Sequence, residues 1–211
     1  MIVDVLSFGT CVDVATARGA EVLPYRWRDD TAAPYAEEQR AILADGHRGT
    51  DRYSLSPTSL AGIPSGTRLV LPSPNGAAVS LRATKVGTTV ASCLRNAAAV
   101  ARFARSRGGP VAIIACGERW ADGSLRPCWE DLVGAGAVAA ELPGPRSPEA
   151  EAACDAFRQA EADLAGRLRV CSSGRELIDR GFAADVDLAA AVGVSECVPV
   201  LSGDAFVARP V

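Results

Sequence analysis

Short segments rich in β-branched residues alternate with helical segments along the whole of this 211-residue chain. Branched apolar residues favour strands, whereas apolar residues that recur every three to four positions favour helices. The predicted strands are residues 1–6, 20–25, 68–71, 88–93, 111–115 and 197–201, with 111–115 as the clearest core strand. The predicted helices are residues 11–18, 34–45, 76–84, 95–107, 130–142, 147–168 and 172–180. This alternation predicts a three-layer α/β/α fold with a largely parallel or mixed sheet, in one domain over residues 1–211.

The types of basic and sulfur-containing residues exclude several kinds of catalytic site. The chain has one histidine, His47, and its 22 basic residues include a single lysine, Lys85. A phosphatase with two catalytic histidines, or a zinc site of three histidines, therefore cannot be built. None of the seven cysteines is followed by an arginine six positions later, which excludes the thiolate loop of tyrosine-phosphatase-type enzymes. We expect His47, in a polar loop, and Lys85, at a helix end, to be non-catalytic.

The cysteines, the charge and the apolar runs indicate the compartment and the partners. Seven cysteines without a Cys-x-x-Cys pair argue against a zinc ribbon or a secreted disulfide framework, so most are expected to be buried apolar residues. The sequence shows no signal peptide and no apolar run of about eighteen residues, which predicts a cytoplasmic protein without a membrane partner. A net charge of −3 with scattered arginines predicts no nucleic-acid partner. The alanine-rich helices favour a homo-oligomer.

Polar residues stand where predicted strands and loops give way to helices, the place where open α/β sheets bind their ligands. These residues are Asp4 with Ser7 and Thr10, Asn75 with Gly76, and Glu130 with Asp131. Backbone N–H groups at a helix start are unpaired and lie at the positive end of the helix dipole, an arrangement that binds phosphate. We therefore expect the helix starts at Thr10 and Gly76 to hold a phosphate group.

The acidic residues among them have two interpretations each. Asp4 follows apolar residues in a predicted buried strand, so it must be paired or bound to a cation. It is either a metal ligand or nucleophile, or a helix cap or ion-pair partner. Glu130 and Asp131 are either ordinary first-turn acids of a helix or oxygen ligands for Mg²⁺. Asp185 and Asp187 precede an alanine-rich stretch and are expected at the surface or as caps.

Ordered sequence blocks resemble the 2-phosphosulfolactate phosphatase (ComB) family. Val3-Asp-Val-Leu6 is similar to the opening strand of that family, and Arg68-Leu-Val-Leu-Pro-Ser-Pro-Asn-Gly76 to its strand ending in Thr-Thr-Asn-Gly. Trp129-Glu-Asp131 resembles its Glu-Asp helix start. The remaining blocks are residues 91–97, 115–117, 134–136, 173–177, 181–185 and 198–199. The blocks follow the family order over nearly the whole chain, so the set is more specific than any single block.

The resemblance implies a ComB-like fold and a Mg²⁺-dependent phosphatase. Members of the family convert 2-phospho-3-sulfolactate to 3-sulfolactate and phosphate, a step toward coenzyme M. The matched positions are Asp4, Asn75, Asn96, Glu130 and Asp131, together with Asp185 in a less distinctive block.

The opening motif departs from the family pattern. The family usually reads Asp-Val-Leu-Arg-Ala-Thr-Thr-Thr, whereas this chain reads Asp4-Val-Leu-Ser-Phe-Gly-Thr-Cys11. Ser7 takes the arginine position, and an arginine is a bidentate partner for phosphate, sulfonate or carboxylate. Thr10 is retained and is still expected to help hold phosphate. The altered loop predicts a change in what the pocket holds, so the substrate is 2-phosphosulfolactate or a related small 2-phospho acid.

The first functional hypothesis is a Mg²⁺-dependent phosphomonoesterase. Asp4, Glu130 and Asp131 would hold the metal, Asp131 is a candidate general base, and Asp4 is a metal ligand or a nucleophile. The residues expected to contact the substrate are Ser7, Thr10, Asn75, Gly76 and Asn96.

The alternative hypothesis is a non-catalytic small-anion-binding protein derived from the same family, and the altered Ser7-Phe8-Gly9 loop motivates it. A haloacid-dehalogenase-type phosphatase is disfavoured because Leu6 stands where such enzymes need a second aspartate. A dinucleotide-dependent oxidoreductase is disfavoured because no Gly-x-Gly-x-x-Gly follows a strand.

Overall fold

The computed structural model describes residues 1–26 and 29–210 and confirms an α/β fold. The α-helices within these ranges are α1 (Phe8–Ala17), α2 (Ala32–Glu38), α3 (Gly76–Ala83), α4 (Ala97–Arg107), α5 (Trp129–Ala140), α6 (Pro148–Glu161), α7 (Leu164–Val170), α8 (Ser172–Asp179) and α9 (Ala183–Ala189). The strands are β1 (Ile2–Val3), β2 (Glu21–Tyr25), β3 (Ile42–Leu43), β4 (Arg68–Pro72), β5 (Ala91–Ser92), β6 (Ile114–Ala115), β7 (Glu118–Arg119), β8 (Leu125–Arg126), β9 (Val198–Ser202) and β10 (Ala205–Arg209). A 3-10 helix covers Pro57–Leu60.

The strands form two main sheets that meet at one bridge. A parallel sheet has the order β5-β1-β6, and a mixed sheet has the order β3-β4-β2-β10-β9. In the mixed sheet β3, β4 and β2 run parallel, while β10 is antiparallel to both of its neighbours. An antiparallel bridge between Val90 and Val200 links the edges of the two sheets. Strands β7 and β8 form a separate antiparallel hairpin.

Two large apolar cores pack against the sheets. The first core lies between the parallel sheet and α4 to α9, and includes Val3, Val133 and Leu168. The second lies between α1, α3 and the mixed sheet, and includes Phe8 and Phe206, whose rings meet edge to face at 6.1 Å. Asp4 follows β1 and therefore lies where these two cores adjoin.

Several predicted elements were wrong in their extent or burial. The strand predicted at 111–115 is reduced to β6, an edge strand that pairs with β1, and Ile114 is 40% exposed there because only one side is covered. The helix predicted at 34–45 ends at Glu38, because Arg40 adopts a positive φ of 50° and Ile42 then pairs with β4. The helix predicted at 147–168 is split at Asp163, which has a non-helical φ of −144°.

Two hairpins were not predicted from the sequence. Strands β7 and β8 occupy the segment expected to be a loop, and β10 extends the mixed sheet after the turn at Gly203, which has a positive φ. The strands predicted at 1–6 and 88–93 are also reduced, to the two-residue strands β1 and β5. The remaining predicted helices and strands occur with shifted ends. None of the described helices is both long and apolar enough to cross a membrane.

Candidate active site

A cavity of about 270 Å³ lies where the carboxyl ends of β1, β4 and β6 meet the start of α5. Its walls carry both signs of charge. The acidic residues that line it are Asp4, Glu118, Glu130, Asp131 and Glu176, and the arginines are Arg26, Arg48, Arg126 and Arg180. A cavity of this size and polarity fits a small charged molecule.

The carboxylate of Asp4 lies at the floor of the cavity and is fixed by two helix starts. The backbone N–H of Phe8, the first residue of α1, donates to Oδ1 at 3.0 Å. The backbone N–H of Gly76, the first residue of α3, donates to Oδ2 at 3.1 Å. Asp4 therefore caps the N-termini of two helices, as one interpretation expected. It also lines the cavity, where the other interpretation needs it.

Glycines allow the two helix starts to approach Asp4. A Cβ on Gly76 would lie 2.6 Å from Asp4 Oδ2 and 2.4 Å from the Phe8 ring. A Cβ on Gly9 would lie 2.4 Å from the Ser92 carbonyl oxygen and 2.7 Å from that of Asp4. Neither position has room for a side chain, so this geometry requires glycine at both.

Asp131 is held beside Asp4 in the same manner. The N–H of Val5 donates to Asp131 Oδ1 at 2.7 Å, and the N–H of Gly117 donates to Oδ2 at 2.8 Å. Because Val5 is the next residue after Asp4, the strand end and the start of α5 are joined directly. Glu130, its neighbour in α5, is also buried, and the Cys171 thiol contacts its Oε2 at 3.5 Å. The structure thus brings together the three acids predicted from the sequence.

Burial dominates the electrostatics of this acidic pair. Desolvation raises the pKa of Asp4 from 3.8 to about 7, with the charges of Glu118 and Glu130 acting in the same direction and the two N–H groups opposing it. Desolvation also raises the pKa of Asp131 well above its usual value, reinforced by the charges of Asp4 and Glu130. At the cavity floor, carboxyl groups that are protonated or bound to a cation are therefore more stable than carboxylates without a counter-charge.

This arrangement predicts that, with a chelator present, burial of Asp4 makes folding less favourable as the pH rises from about 4 to about 7. The unfolded carboxyl loses its proton near pH 3.8 and the folded one near pH 7, so the unfolded state binds fewer protons in this window. The shift corresponds to at most about 4 kcal/mol. Urea unfolding across this range measures the difference in unfolding free energy between the wild-type protein and Asp4→Asn. A difference that stays constant with pH would contradict the prediction.

The β7–β8 hairpin forms another wall of the cavity. The Asn75 side-chain amide donates to Oε1 of Glu118 in β7, and both residues line the cavity. Arg126 in β8 donates from Nη1 and Nη2 to the two carboxylate oxygens of Glu176 in α8, at 2.6 and 3.1 Å. Sequence reasoning missed Glu118, because it stands in a segment without regular periodicity.

Three residues expected to contact the substrate have other partners. Thr10 is buried and its hydroxyl donates to the Val5 carbonyl at 2.7 Å. Asn96 is buried at the start of α4, where its Oδ1 accepts from the Cys93 N–H at 2.9 Å. Neither Thr10 nor Asn96 is among the described residues that line the cavity. The N–H of Gly76 donates to Asp4 and is therefore engaged within the protein, whereas this helix start was expected to hold phosphate.

An arginine reaches the loop in which the expected arginine is missing. Arg48 lies in the loop after β3, and its Nη2 donates to the Ser7 hydroxyl at 3.0 Å. Its Nη1 contacts Asp185 Oδ2 at 2.7 Å. Asp185 was expected at the surface or as a cap, but it is 1% exposed. The sequence carries no local signal for this contact because 41 residues separate Arg48 from Ser7.

His47 and Asp187 are placed as expected, outside the site. The His47 side chain is 93% exposed, and Asp187 forms a surface ion pair with Arg169 at 2.5 Å. The seven cysteines are free, and Cys11, Cys93, Cys116 and Cys154 are buried. Most of the cysteines are thus buried or partly buried, in agreement with the sequence, although Cys128 lines the cavity.

The structure is thus that of an α/β protein with a cavity that paired buried carboxylates and several arginines line. The chain belongs to the 2-phosphosulpholactate phosphatase family, whose family model matches residues 1–204 of the 211. This membership confirms the resemblance seen in the sequence blocks and supports a phosphatase role. Comparison with individual curated proteins gave no match.

Proposed function

We propose that this protein is a Mg²⁺-dependent phosphatase that hydrolyses 2-phosphosulfolactate, or a related small 2-phospho acid, to the hydroxy acid and phosphate. The observation that carries the proposal is the joint burial of Asp4 and Asp131. Each carboxylate is fixed by two backbone N–H groups, and both line one cavity. Burying two adjacent carboxylates is costly unless protons or a cation neutralise them, which supports a functional role over a purely structural one.

The donor chemistry of the cavity floor fits Mg²⁺. The described residues contain no group of three His, Cys, Asp or Glu side chains arranged to hold a metal ion. Mg²⁺ does not require such a group, because proteins commonly hold it through one or two carboxylates plus water and substrate phosphate. Asp4 and Asp131 would supply the carboxylate oxygens that hold the ion, and Glu130 is their neighbour in α5. When bound, Mg²⁺ supplies charge neutralisation at the phosphate oxygens.

The protein's own groups then account for orientation and proton transfer. Hydrolysis breaks the ester P–O bond, adds a water oxygen to phosphorus, and moves a proton from that water to the leaving alkoxide. Because both oxygens of Asp131 are fixed by N–H groups, its carboxylate is preorganised as the proton acceptor. The arginines on the cavity wall attract the substrate, which carries a phosphate ester and at least one further anionic group, and offset its charge.

The proposal predicts phosphate release that depends on both metal and substrate. With 2-phosphosulfolactate, 2-phospholactate and phosphoglycolate as substrates, we expect phosphate release in Mg²⁺ and a loss of at least about a hundredfold in excess chelator. Restoring Mg²⁺ should restore the rate. Phosphate release from p-nitrophenyl phosphate under the same conditions tests whether a second acid group is required.

The same assay separates the proposal from the alternative hypothesis. A purified, folded protein that binds these acids tightly yet releases no phosphate with Mg²⁺ would be a non-catalytic anion-binding protein. Turnover that is unchanged by chelator would contradict the proposed role of Mg²⁺ while leaving the phosphatase role in place.

A further inference from the structure

We propose that Arg48, held in place by Asp185, binds the second acid group of the substrate, which is the carboxylate or sulfonate present in addition to the phosphate ester. The inference rests on the proposed function and extends it to a specificity-determining residue. The guanidinium of Arg48 lines the cavity, but its side chain is only 10% exposed. Arg48 is thus a buried cation in a cavity that buried carboxylates also line. The cavity therefore has two subsites of opposite charge.

Asp185 fixes the position of Arg48. Its Oδ2 accepts from Arg48 Nη1 at 2.7 Å. Its Oδ1 accepts from the Ser56 hydroxyl at 2.7 Å, from the Thr58 hydroxyl at 2.6 Å and from the Thr58 N–H at 3.1 Å. The ring of Phe182 lies 5.7 Å from the guanidinium carbon and supports it from another side. Asp185 is therefore a positioning residue, which acts on the ligand through Arg48.

Arg48 retains the capacity to bind an oxyanion. A guanidinium carries five N–H donors in a planar fork, and the bonds to Asp185 and Ser7 each use one. The remaining donors suit a bidentate contact with a carboxylate or sulfonate. Because Asp185 and Phe182 already restrain the side chain, less conformational entropy is lost when a ligand binds.

The position of Arg48 matches a bifunctional substrate. Ser7, which accepts from Arg48, is three residues after Asp4 and adjoins Phe8, whose N–H binds Asp4. The acid-binding subsite is thus next to the carboxylate floor that would receive the phosphate with its cation. In a 2-phospho acid the phosphate ester is on C2 and the carboxylate carbon is bonded directly to C2, and in 2-phosphosulfolactate the sulfonate is on C3. One molecule would therefore reach both subsites.

Arg48 is distinguished from two other arginines of the cavity by how it is held. Arg126 is engaged in a bidentate ion pair with Glu176, a residue whose side chain is 57% exposed. Arg180 is exposed, with the Phe182 ring 5.8 Å from its guanidinium carbon. Arg48 and Arg126 are similarly buried, with side chains 10% and 11% exposed. Both terminal nitrogens of Arg126 are bound to Glu176, whereas those of Arg48 bind one oxygen of Asp185 and the Ser7 hydroxyl, three residues after Asp4.

The test compares Arg48→Gln and Arg48→Lys with the wild-type protein on two classes of substrate. For 2-phosphosulfolactate and 2-phospholactate we expect kcat/KM to fall by about 10- to 100-fold, mainly through KM, since a lost hydrogen bond between charged groups has this magnitude. For p-nitrophenyl phosphate, which has no second acid group, we expect less than about a threefold change. Asp185→Asn should show the same selectivity with a smaller effect. Equal losses for the two acids would place Arg48 at the carboxylate, which both contain, whereas a loss mainly for 2-phosphosulfolactate would place it at the sulfonate.

A matched control is available in the same chain. Arg95 forms an equivalent ion pair with the buried Asp13, which also accepts from the Ser195 hydroxyl, but it does not line this cavity. Arg95→Gln should reduce stability as Arg48→Gln does and leave KM unchanged for both classes. Equal losses for both substrate classes in the Arg48 variants would overturn the inference, as would equal effects of the Arg95 and Arg48 variants.

Binding of the dephosphorylated acids keeps this test independent of turnover. Calorimetry with 3-sulfolactate and with lactate should give a Kd at least about tenfold weaker for Arg48→Lys than for the wild-type protein. If the wild-type protein releases no phosphate but binds these acids through Arg48, the proposed function fails and the acid subsite stands. If it releases phosphate and the Arg48 variants bind the acids normally, the acid subsite fails and the proposed function stands.

Discussion

Replacing Asp4 with asparagine is expected to lower kcat/KM for phosphate release by about a thousandfold, within the range found for groups that take part in proton transfer or hold charge at a reacting centre. An asparagine oxygen can accept from Phe8 or from Gly76, but its amide nitrogen then faces the other N–H group. The change thus removes the negative charge and disturbs the geometry of one helix start. Steady-state phosphate release with Mg²⁺ measures the loss.

Asp13→Asn is the matched control for this substitution. Asp13 is as deeply buried as Asp4 and accepts from Arg95 Nε at 2.9 Å, but it does not line the cavity. We expect it to destabilise the protein and to leave kcat/KM within about threefold of wild type. If a folded Asp4→Asn protein retains more than about a tenth of the wild-type kcat/KM, Asp4 is not part of the reacting centre.

Replacing Gly136 with alanine is expected to lower the free energy of unfolding by at least about 3 kcal/mol. Gly136 is in α5, and a Cβ there would lie 1.9 Å from the Ala153 carbonyl oxygen in α6. Backbone at that distance cannot rotate away, so the two helices must separate where they form the first core. For a chain of this length the loss corresponds to a fall in Tm of about 6–12 °C, which calorimetry measures.

The sign of the change in unfolding free energy shows whether helix packing or helix propensity dominates at Gly136. Alanine in a helix interior is ordinarily favoured over glycine by about 1 kcal/mol, so propensity alone predicts a stabilised protein. Gly62→Ala, outside the described helices, is the control for a glycine replacement without a clash, since a Cβ at Gly62 meets no atom within 4 Å. A Gly136→Ala protein at least as stable as wild type would show that α5 and α6 do not approach as closely as described.

The parts of the site that could be predicted from the sequence are those fixed by short-range patterns. Asp4 stood out because a carboxylate followed an apolar strand, and Asp131 because it opened an apolar helix after a strand and loop. Both residues line the cavity, since strand ends and helix starts converge at one edge of a parallel sheet. The α/β class followed from the same alternation, and the ordered blocks identified the family.

The rest depends on contacts between distant segments, which no local pattern encodes. Arg48 meets Asp185 across 137 residues, and Glu118 reaches Asn75 from a hairpin without a periodic signal. Thr10 was expected at the phosphate because it stood in a polar loop. Once α1 begins at Phe8, its hydroxyl turns to the Val5 carbonyl instead. The exposure of β6 likewise depends on which strand lies at the sheet edge, a property of topology rather than of composition.

The carboxylate of Asp4 spans the seam between the two sheets, because it follows β1 of one sheet and accepts from Gly76, which comes after β4 of the other. Relative motion of the two sheets would change the distance between this carboxylate and its N–H donors. A ligand that binds at the cavity floor would therefore contact both sheets and oppose their separation. Binding of the ligand and closure of the seam are then coupled, so that a ligand stabilises the closed seam by the same free energy by which closure strengthens ligand binding.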